Sequence, residues 1–313
     1  MTSLGRCPIT YQPINTTLEH YSAEGLRLLS RNLTGLNPLP FSGTELQQEA
    51  ASRSEKMSVQ GVQPKLSAVL NVSKNCFDIV DNHGMFILKP PLDHYPEVPA
   101  NEDLTMNMAA AIGIEVPVHG LLYNRDQSFT YFIKRFDRIK RRDKRPVEDF
   151  AQLSGNTRET KYNFSMEKLI PIIEQYCTFP IPEKHKLFVR VLFNYLVGNE
   201  DMHLKNFSLI TRQQKTELAP AYDFLNTTIL LPRVKEELAL SLHGKKNRLT
   251  AKELVEYYGS DRLLLPSAMI QETLNHIYAK LPTLFDWIDI SFLSPSMKNA
   301  YKAILSHRVE KLF

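Results

Sequence analysis

One stretch of the chain carries more chemically active side chains than its surroundings. Residues 198–208 read Gly-Asn-Glu-Asp-Met-His-Leu-Lys-Asn-Phe-Ser and follow a strongly apolar segment. So many polar groups are costly to bury without partners, and this stretch is therefore predicted to form a site. Asp201 and Asn206 lie five positions apart. At that spacing a catalytic loop can place a carboxylate against an attacking hydroxyl and an amide oxygen on a magnesium ion. The chemistry indicated is phosphoryl transfer.

Two further signals follow the order that a phosphotransferase needs. Asp223 comes 17 residues after Asn206, behind a short apolar run, where a second carboxylate would chelate the metal. Lys89 ends a strand-like run, the position of a lysine that pairs with nucleotide phosphates, and Glu102 is its expected acidic partner. Each signal alone fits a turn residue or a solvated lysine equally well. Their joint order favours a phosphotransferase.

Residues 58–65, Ser-Val-Gln-Gly-Val-Gln-Pro-Lys, are a weaker candidate for a loop that covers phosphates. The segment holds one glycine and matches neither the G-x-G-x-x-G nor the Walker A pattern. A single glycine flanked by amides and a lysine can still present backbone N–H groups to phosphate. The alternative is an ordinary polar loop that enters a strand.

Other chemistries find less support. Glu200, Asp201 and His203 could suggest a metal hydrolase, but neither an H-E-x-x-H motif nor a second histidine cluster accompanies them. His203 is interpreted as a structural or phosphate-side histidine. The single tryptophan, Trp287, gives little support to stacking of nucleic-acid bases. No direct nucleic-acid binding is expected.

The composition is that of a globular protein with two lobes. The chain has 313 residues, 43% of them apolar and 23% charged, with a formal net charge of +4, and this length is typical of two domains. The three cysteines lack C-x-x-C spacing, which favours a reduced, cytoplasmic protein. No signal peptide and no apolar run long enough for a membrane span are recognised.

The elements that would position these residues differ between the two halves. One helix is predicted among the strands of the first half, with Asn101 as its cap, Glu102 and Asp103 in its first turn, and Gly113 at its end. Five short runs with glycine and proline between them predict strands at 66–70, 77–80, 85–89, 120–123 and 130–134.

The second half is predicted to be helical. Residues 187–196 carry an apolar helix face that Gly198 would end. Eight basic residues crowd positions 134–145; they fit a solvated linker or a docking strip for an acidic partner. We therefore predict a β-rich nucleotide-covering lobe at residues 1–136 and a helical catalytic lobe at 137–313.

Six segments of the chain resemble the HipA family of bacterial toxin serine/threonine kinases. The resemblance extends from about residue 50 to the carboxyl terminus. Residues 7–13, C-P-I-T-Y-Q-P, also resemble the start of HipT, the short toxin of the split HipB-HipS-HipT toxin–antitoxin system. The resemblance implies that no amino-terminal subdomain precedes the kinase lobe. The six segments are S-V-Q-G-V-Q-P-K (58–65), F-I-L-K-P (86–90), N-E-D-L with M-A (101–109), I-K-R-F-D-R (133–138), G-N-E-D-M-H-L-K-N-F-S (198–208) and A-P-A-Y-D (219–223).

The resemblance implies a role for each matching residue. Asp201 would be the catalytic base, and Asn206 and Asp223 the magnesium ligands. Ser58 and Ser54 would be sites of autophosphorylation in the glycine-containing loop. The ATP-binding residues would be Ser58, Val59, Gln60, Gly61, Val62, Lys65 and Lys89 at the phosphates, Lys134 to Phe136 beside the adenine, and His203, Lys205, Asn206 and Asp223 across from them.

The expected fold class is α+β and bilobal, like a protein kinase, with a small antiparallel-sheet lobe holding one helix and a larger all-helical lobe. The expected function is a cytoplasmic toxin kinase that uses ATP and Mg²⁺ to phosphorylate a protein hydroxyl. The family's targets imply an aminoacyl-tRNA synthetase, here a tryptophanyl enzyme, as substrate. The implied partners are a small HipS-like protein and a DNA-binding HipB-like antitoxin. The alternatives are a lipid or small-molecule kinase and a catalytically silent module that binds a DNA-binding antitoxin.

Overall fold

A computed structural model of the chain describes residues 5–14, 20–53, 64–95, 97–157, 159–231 and 236–313. The predicted loop residues Ser54, Ser58, Val59, Gln60, Gly61 and Val62 lie outside these ranges. No helix within them is long and apolar enough to cross a membrane.

The described residues form two compact units. The first comprises those of Met1–Leu104, Pro117–Lys144 and Ile290–Leu293, and the second comprises the rest of the chain. The predicted lobes, residues 1–136 and 137–313, stay a prediction about domain organisation.

The first unit is built on a five-stranded antiparallel sheet. Its spatial order is β2-β1-β3-β5-β4, and its strands match the five apolar runs of the sequence to within one residue at each end. Lys89 at the end of β3 lies opposite Tyr131 of β5. The strands are β1 Leu66–Asn71, β2 Cys76–Ile79, β3 Phe86–Lys89, β4 His119–Tyr123 and β5 Phe129–Lys134.

Two short helices also pack on this sheet, which corrects the expectation of a small lobe with one helix. A hairpin continues from the sheet. Leu26 of α1 (Ala23–Leu29) and Leu46 of α2 (Gly43–Arg53) share a buried cluster with Phe86 and Phe132 of the sheet. This burial fixes the sheet as the support for Lys89. The basic run of the sequence forms strands β6 (Arg138–Lys140) and β7 (Asp143–Lys144), which pair antiparallel.

The predicted helix begins earlier than the sequence indicated. Helix α3 spans Val98–Ala111, so Asn101 does not cap it, and Glu102 and Asp103 lie inside it, fully buried. The true start has a signal that the prediction overlooked, since Pro99 stands in the first turn, where proline is well tolerated. Gly113 follows the helix with a φ of 88°, as predicted.

The second unit is mainly helical but contains a small sheet. Its three antiparallel strands lie in the order β10-β9-β8, which corrects the expectation of an all-helical lobe. The strands are β8 Val147–Asp149, β9 Ser208–Arg212 and β10 Lys215–Leu218. The helices are α4 Phe150–Leu153, α5 Leu169–Tyr176, α6 Pro180–Val197, α7 Ser267–Ile290 and α8 Pro295–Leu312, with a π-helical segment at Lys252–Arg262.

Helix α6 is the central element of this unit. The predicted apolar face is buried, including Leu187, Val191 and Tyr195, and Gly198 ends the helix with a φ of 69° and a ψ of 37°. This left-handed conformation costs a glycine little. It turns the chain directly into the polar stretch at residues 198–208.

Candidate functional site

The polar stretch is fastened to a neighbouring turn from its first residue. The carbonyl of Gly198 accepts hydrogen bonds from the backbone N–H groups of Thr227 at 3.0 Å and Thr228 at 3.2 Å. A Cβ atom at Gly198 would lie 2.7 Å from the Thr228 hydroxyl and 3.0 Å from the Asn226 side-chain oxygen. The approach therefore requires glycine for space as well as for backbone conformation.

Asparagine side chains fix the backbone of Asp201 on both sides. The N–H of Asp201 donates to Asn199 Oδ1 at 3.2 Å, and Asn199 in turn donates to Asn194 Oδ1 at 2.8 Å. The carbonyl of Asp201 accepts from Asn206 Nδ2 at 2.9 Å. Because the amide nitrogen of Asn206 makes this hydrogen bond to Asp201, the amide oxygen of Asn206 points away from the Asp201 carbonyl. The five-residue spacing thus produces a closed turn that presents one carboxylate and one amide oxygen.

The Asp201 carboxylate accepts a hydrogen bond from the hydroxyl of Tyr162. Burial and the neighbouring carboxylate both raise the pKa of the Tyr162 phenol, which keeps this hydroxyl protonated and a donor. No feature of the sequence distinguishes Tyr162, because it lies in a polar turn without periodicity.

His203 is buried beside these groups and held in its neutral form. Burial lowers the pKa of His203, while the carboxylates of Asp201 and Asp223 act in the opposite direction. The Lys161 ammonium lies 2.6 Å from Nε2. Because an ammonium only donates, Nε2 accepts and the ring proton is on Nδ1. This buried Nδ1 has no hydrogen-bond partner within the described ranges.

Asp223 adopts a backbone conformation that is uncommon for a residue with a side chain. Its φ is 57°; Asp tolerates this region better than most residues, and such conformations cluster at functional sites. The preceding Tyr222 fastens the segment, since its hydroxyl donates to the Lys205 carbonyl at 2.9 Å and lies 2.5 Å from Ser208 Oγ. Asp223 is therefore held next to the turn that carries Asn206.

Glu200 serves the framework of this loop. Its carboxylate accepts from Thr228 Oγ1 at 2.7 Å and lies 3.8 Å from Arg308 of α8. Burial raises the pKa of Glu200, although Thr228 and Arg308 oppose the shift. Arg308 also pairs with Glu237 at 2.6 Å. These contacts join the loop to α8. Spacing alone could not predict them, because Thr228 lies 28 positions from Glu200 and Arg308 lies farther still.

The first unit holds the remaining predicted residues. Lys89 Nζ lies 2.6 Å from Glu102 Oε1, and both side chains are at least 96% buried. The predicted acidic partner of Lys89 is thus confirmed. Lys89 also lies 5.6 Å from the centre of the Tyr131 ring. Lys65 directly precedes β1, Lys134 ends β5 and Phe136 follows it.

A second buried pair in this unit was not predicted. His119 Nδ1 of β4 lies 2.6 Å from Asp103 Oδ1 of α3, and both side chains are buried. The contact fixes α3 against the sheet one residue after Glu102, and so stabilises the position of the carboxylate that meets Lys89.

The residues of the second unit fit a magnesium ion that is coordinated by protein side chains together with substrate phosphates. No group of three or more His, Cys, Asp and Glu side chains in the described part of the chain could hold a metal ion. Magnesium, however, is usually bound by one or two carboxylates together with substrate phosphates. The Asn206 oxygen and the Asp223 carboxylate suit that arrangement, and the buried N–H at His203 Nδ1 suits a phosphate oxygen nearby.

Solved structures share this architecture. HipA of Shewanella oneidensis, in a complex with HipB and operator DNA, superimposes with a TM-score of 0.68, at 22% identity over 89% of this chain and 72% of that one. The Helicobacter pylori proinflammatory kinase CtkA superimposes with a TM-score of 0.60, at 15% identity over 82% of this chain and 91% of that one. The predicted α+β, kinase-like fold class is confirmed.

The sequence comparisons place the chain in a family. The profile described as the HipA-like C-terminal domain matches residues 57–284, and the chain belongs to that family. It is 34% identical over 240 residues to a Haemophilus influenzae protein named "Putative kinase", which covers 71% of this chain and 68% of that protein.

Other curated relatives are longer than the region they share with this chain. The serine/threonine-protein kinase toxin HipA of Shewanella oneidensis is 26% identical over 249 residues, covering 72% of this chain and 56% of that protein. The chain thus spans little more than half the length of that toxin. The present chain is homologous to HipA kinase toxins. Its resemblance to the short HipT form stays a prediction.

Proposed function

We propose that the chain is an ATP-dependent serine/threonine protein kinase of the HipA toxin type. One observation carries the proposal: Asp201 and Asn206 lie on one closed turn beside the buried, neutral His203, and Tyr222 holds Asp223 next to that turn. Family membership and kinase homologues support it.

In the proposed mechanism, Asp201 accepts the proton of the acceptor hydroxyl as that oxygen attacks the γ-phosphate. Asn206 and Asp223 would hold Mg²⁺, which supplies neutralisation of phosphate charge when bound. Lys89, held by its ion pair with Glu102, would orient the phosphates. The N–H at His203 Nδ1 would donate to a negatively charged phosphate oxygen without having to move first.

The remaining nucleotide contacts are proposed from the family resemblance. Lys65 with the backbone of Val59–Val62 would cover the phosphates, Lys134 and Phe136 would border the adenine, and Lys205 would lie beside the nucleotide. Ser54 and Ser58 would accept phosphate during autophosphorylation. A phosphate carries nearly two negative charges, so its addition there would repel ATP and switch the kinase off.

The substrate and partners are likewise proposals. An aminoacyl-tRNA synthetase would be the phosphorylated protein, in a cytoplasmic setting. The similarity to a HipA structure solved with HipB and operator DNA supports a HipB-like antitoxin as partner, and the HipT resemblance adds a small HipS-like component.

The test is nucleotide binding and phosphate transfer by two matched variants. Asp201→Asn should abolish transfer from radiolabelled ATP, by at least roughly a hundredfold for the loss of a general base, and leave ATP affinity close to wild type. Asp223→Asn should lose both transfer and the magnesium-dependent part of the affinity, measured by calorimetry. Asp286→Asn, at an exposed position on α7, is the control that should behave as wild type.

The outcomes separate the alternatives. Transfer to protein, with phosphate found at Ser54 or Ser58 by mass spectrometry, supports the proposal. Label confined to lipid or small molecules would replace it with the corresponding kinase. ATP binding without any transfer would favour the silent module.

A further inference from the structure

The hydroxyl of Tyr162 makes the contact with Asp201 that an acceptor hydroxyl must make. In phosphoryl transfer the acceptor donates its O–H to the base before it attacks. Here the Tyr162 hydroxyl donates to one oxygen of that carboxylate. Both this group and the group to be phosphorylated are hydroxyls, and the Tyr162 hydroxyl lies at the atom where the acceptor is expected.

Tyr162 reaches Asp201 from the solvent side. Its side chain is 39% exposed, although Asp201 is only partly accessible. The ring lies edge-on to His203, 5.0 Å between centroids, with the Lys161 ammonium 4.8 Å from the ring centre. A protein substrate that approached Asp201 from outside would therefore meet Tyr162.

The backbone of Asp201 is held in place without this contact. Its backbone N–H is bound to Asn199 and its carbonyl to Asn206. Tyr162 itself lies in a turn outside helices and strands, so its side chain can leave without breaking a regular element. These observations favour the interpretation that the Tyr162 hydroxyl occupies the acceptor position, rather than the alternative that it orients the Asp201 carboxylate.

We infer that Tyr162 occupies the acceptor position on Asp201 and that a protein substrate must displace it to be phosphorylated. This inference rests on the proposed function and deepens it, because it makes Tyr162 a residue that controls access of the acceptor. Displacement exchanges one hydrogen bond to the carboxylate for another, with no covalent change at Tyr162.

The test is the Tyr162→Phe variant of the full chain, which removes only the hydroxyl. The acceptor is a synthetic peptide of residues 50–62, which contains Ser54 and Ser58, with ATP and magnesium. We expect KM for the peptide to fall roughly tenfold, the factor that matches one hydrogen bond to a charged group. We expect kcat to be unchanged or higher, and ATP hydrolysis without peptide to rise, because water gains access to Asp201.

The matched control is Tyr176→Phe. Tyr176 ends α5 in the same unit, has the same exposed fraction of 39%, and should give wild-type kinetics. A lower kcat at unchanged KM in Tyr162→Phe would make Tyr162 a positioning residue and overturn the inference. Wild-type kinetics in that variant would overturn it as well, while leaving the proposed function intact. A wild-type chain that neither transfers phosphate nor hydrolyses ATP would overturn both.

Discussion

At the scale of single residues, the ion pair between Lys89 and Glu102 is almost completely buried. Both charges are removed from water, which costs several kcal/mol per ion before their attraction offsets it. The 2.6 Å contact and the adjacent Tyr131 ring compensate for that cost. The pair therefore gives Lys89 a defined position. Removing either partner would leave the charge of the other buried without its counter-charge.

Glu102→Gln should consequently destabilise the protein strongly. Removing one charge of a buried pair typically costs about 3 kcal/mol or more, measured here as the free energy of unfolding in urea. The double variant Lys89→Met with Glu102→Leu should lose less than Glu102→Gln alone, because it leaves no buried charge.

The control for this prediction is an exposed pair of the same unit. Arg125 and Glu45 lie 2.7 Å apart with exposed side chains, and exposed pairs contribute little to stability. Glu45→Gln should therefore change the unfolding curve only slightly. Equal losses in Glu45→Gln and Glu102→Gln would contradict the importance assigned to burial.

Single residues differ in how far their contacts could be predicted. The pairing of Lys89 with Glu102 followed from their order in a phosphotransferase, as did the closeness of Asp201 to Asn206. Tyr162 could not be predicted, because its contact with Asp201 spans 39 positions and depends on how a turn without regular structure folds back. Contacts between residues a few positions apart can be predicted from their spacing. Contacts between side chains that are far apart in the sequence depend on how the chain packs.

At the scale of elements, Gly198 decides where the polar turn at residues 198–208 begins. It ends α6 in the left-handed conformation and brings the chain against Thr228. The hydroxyl of Thr228 is already bound to the Gly198 carbonyl and to Glu200, so it cannot move aside cheaply. Gly198 thus joins helix α6, the turn that contains Thr228 and the polar loop at residues 198–208.

Gly198→Ala should destabilise the protein and reduce phosphate transfer. The left-handed conformation costs an alanine about 1–2 kcal/mol, and the 2.7 Å approach to Thr228 adds to that. Gly244→Ala isolates the first contribution, since Gly244 has a φ of 73° and no atom within 4 Å of an added Cβ. Denaturation midpoints should fall further for Gly198→Ala, and transfer should fall in that variant alone. Equal midpoints would show that the close approach is unimportant.

Many of the elements were predictable, but helices α1 and α2 were not predicted, and two further differences are informative. Short apolar runs separated by glycine and proline predicted all five strands of the main sheet. The apolar face of α6 predicted that helix, because burial of one face imposes a period. The start of α3 was placed four residues late, at Glu102 instead of Val98, because Asn101 is a common cap residue, although the helix buries it. Strand β8 was missed because three residues with one apolar side chain carry no period.

At the scale of the whole molecule, the positive charge is concentrated in one hairpin. Residues 138–145 hold six basic side chains and one acidic side chain, a net charge of +5, against +4 for the whole chain. Lys140, Arg141, Arg142 and Lys144 are all exposed. Charges so close together act as one field within a Debye length of about 10 Å at 0.1 M salt, so this hairpin should dominate how the protein meets anionic surfaces.

Two variants of equal net charge test this dominance. Lys140, Arg141, Arg142 and Lys144 are replaced by glutamine in the first variant. In the second, the same change is made at Arg31, Lys74, Lys252 and Arg262, which are exposed and scattered. Each loses four charges. If clustering sets the field, the first variant should lose most of its retention on a cation-exchange column and the second should keep much of it. Both should retain wild-type circular dichroism, because surface changes of this kind seldom alter a fold. Elution of both at the same salt concentration would mean that net charge alone governs the interaction.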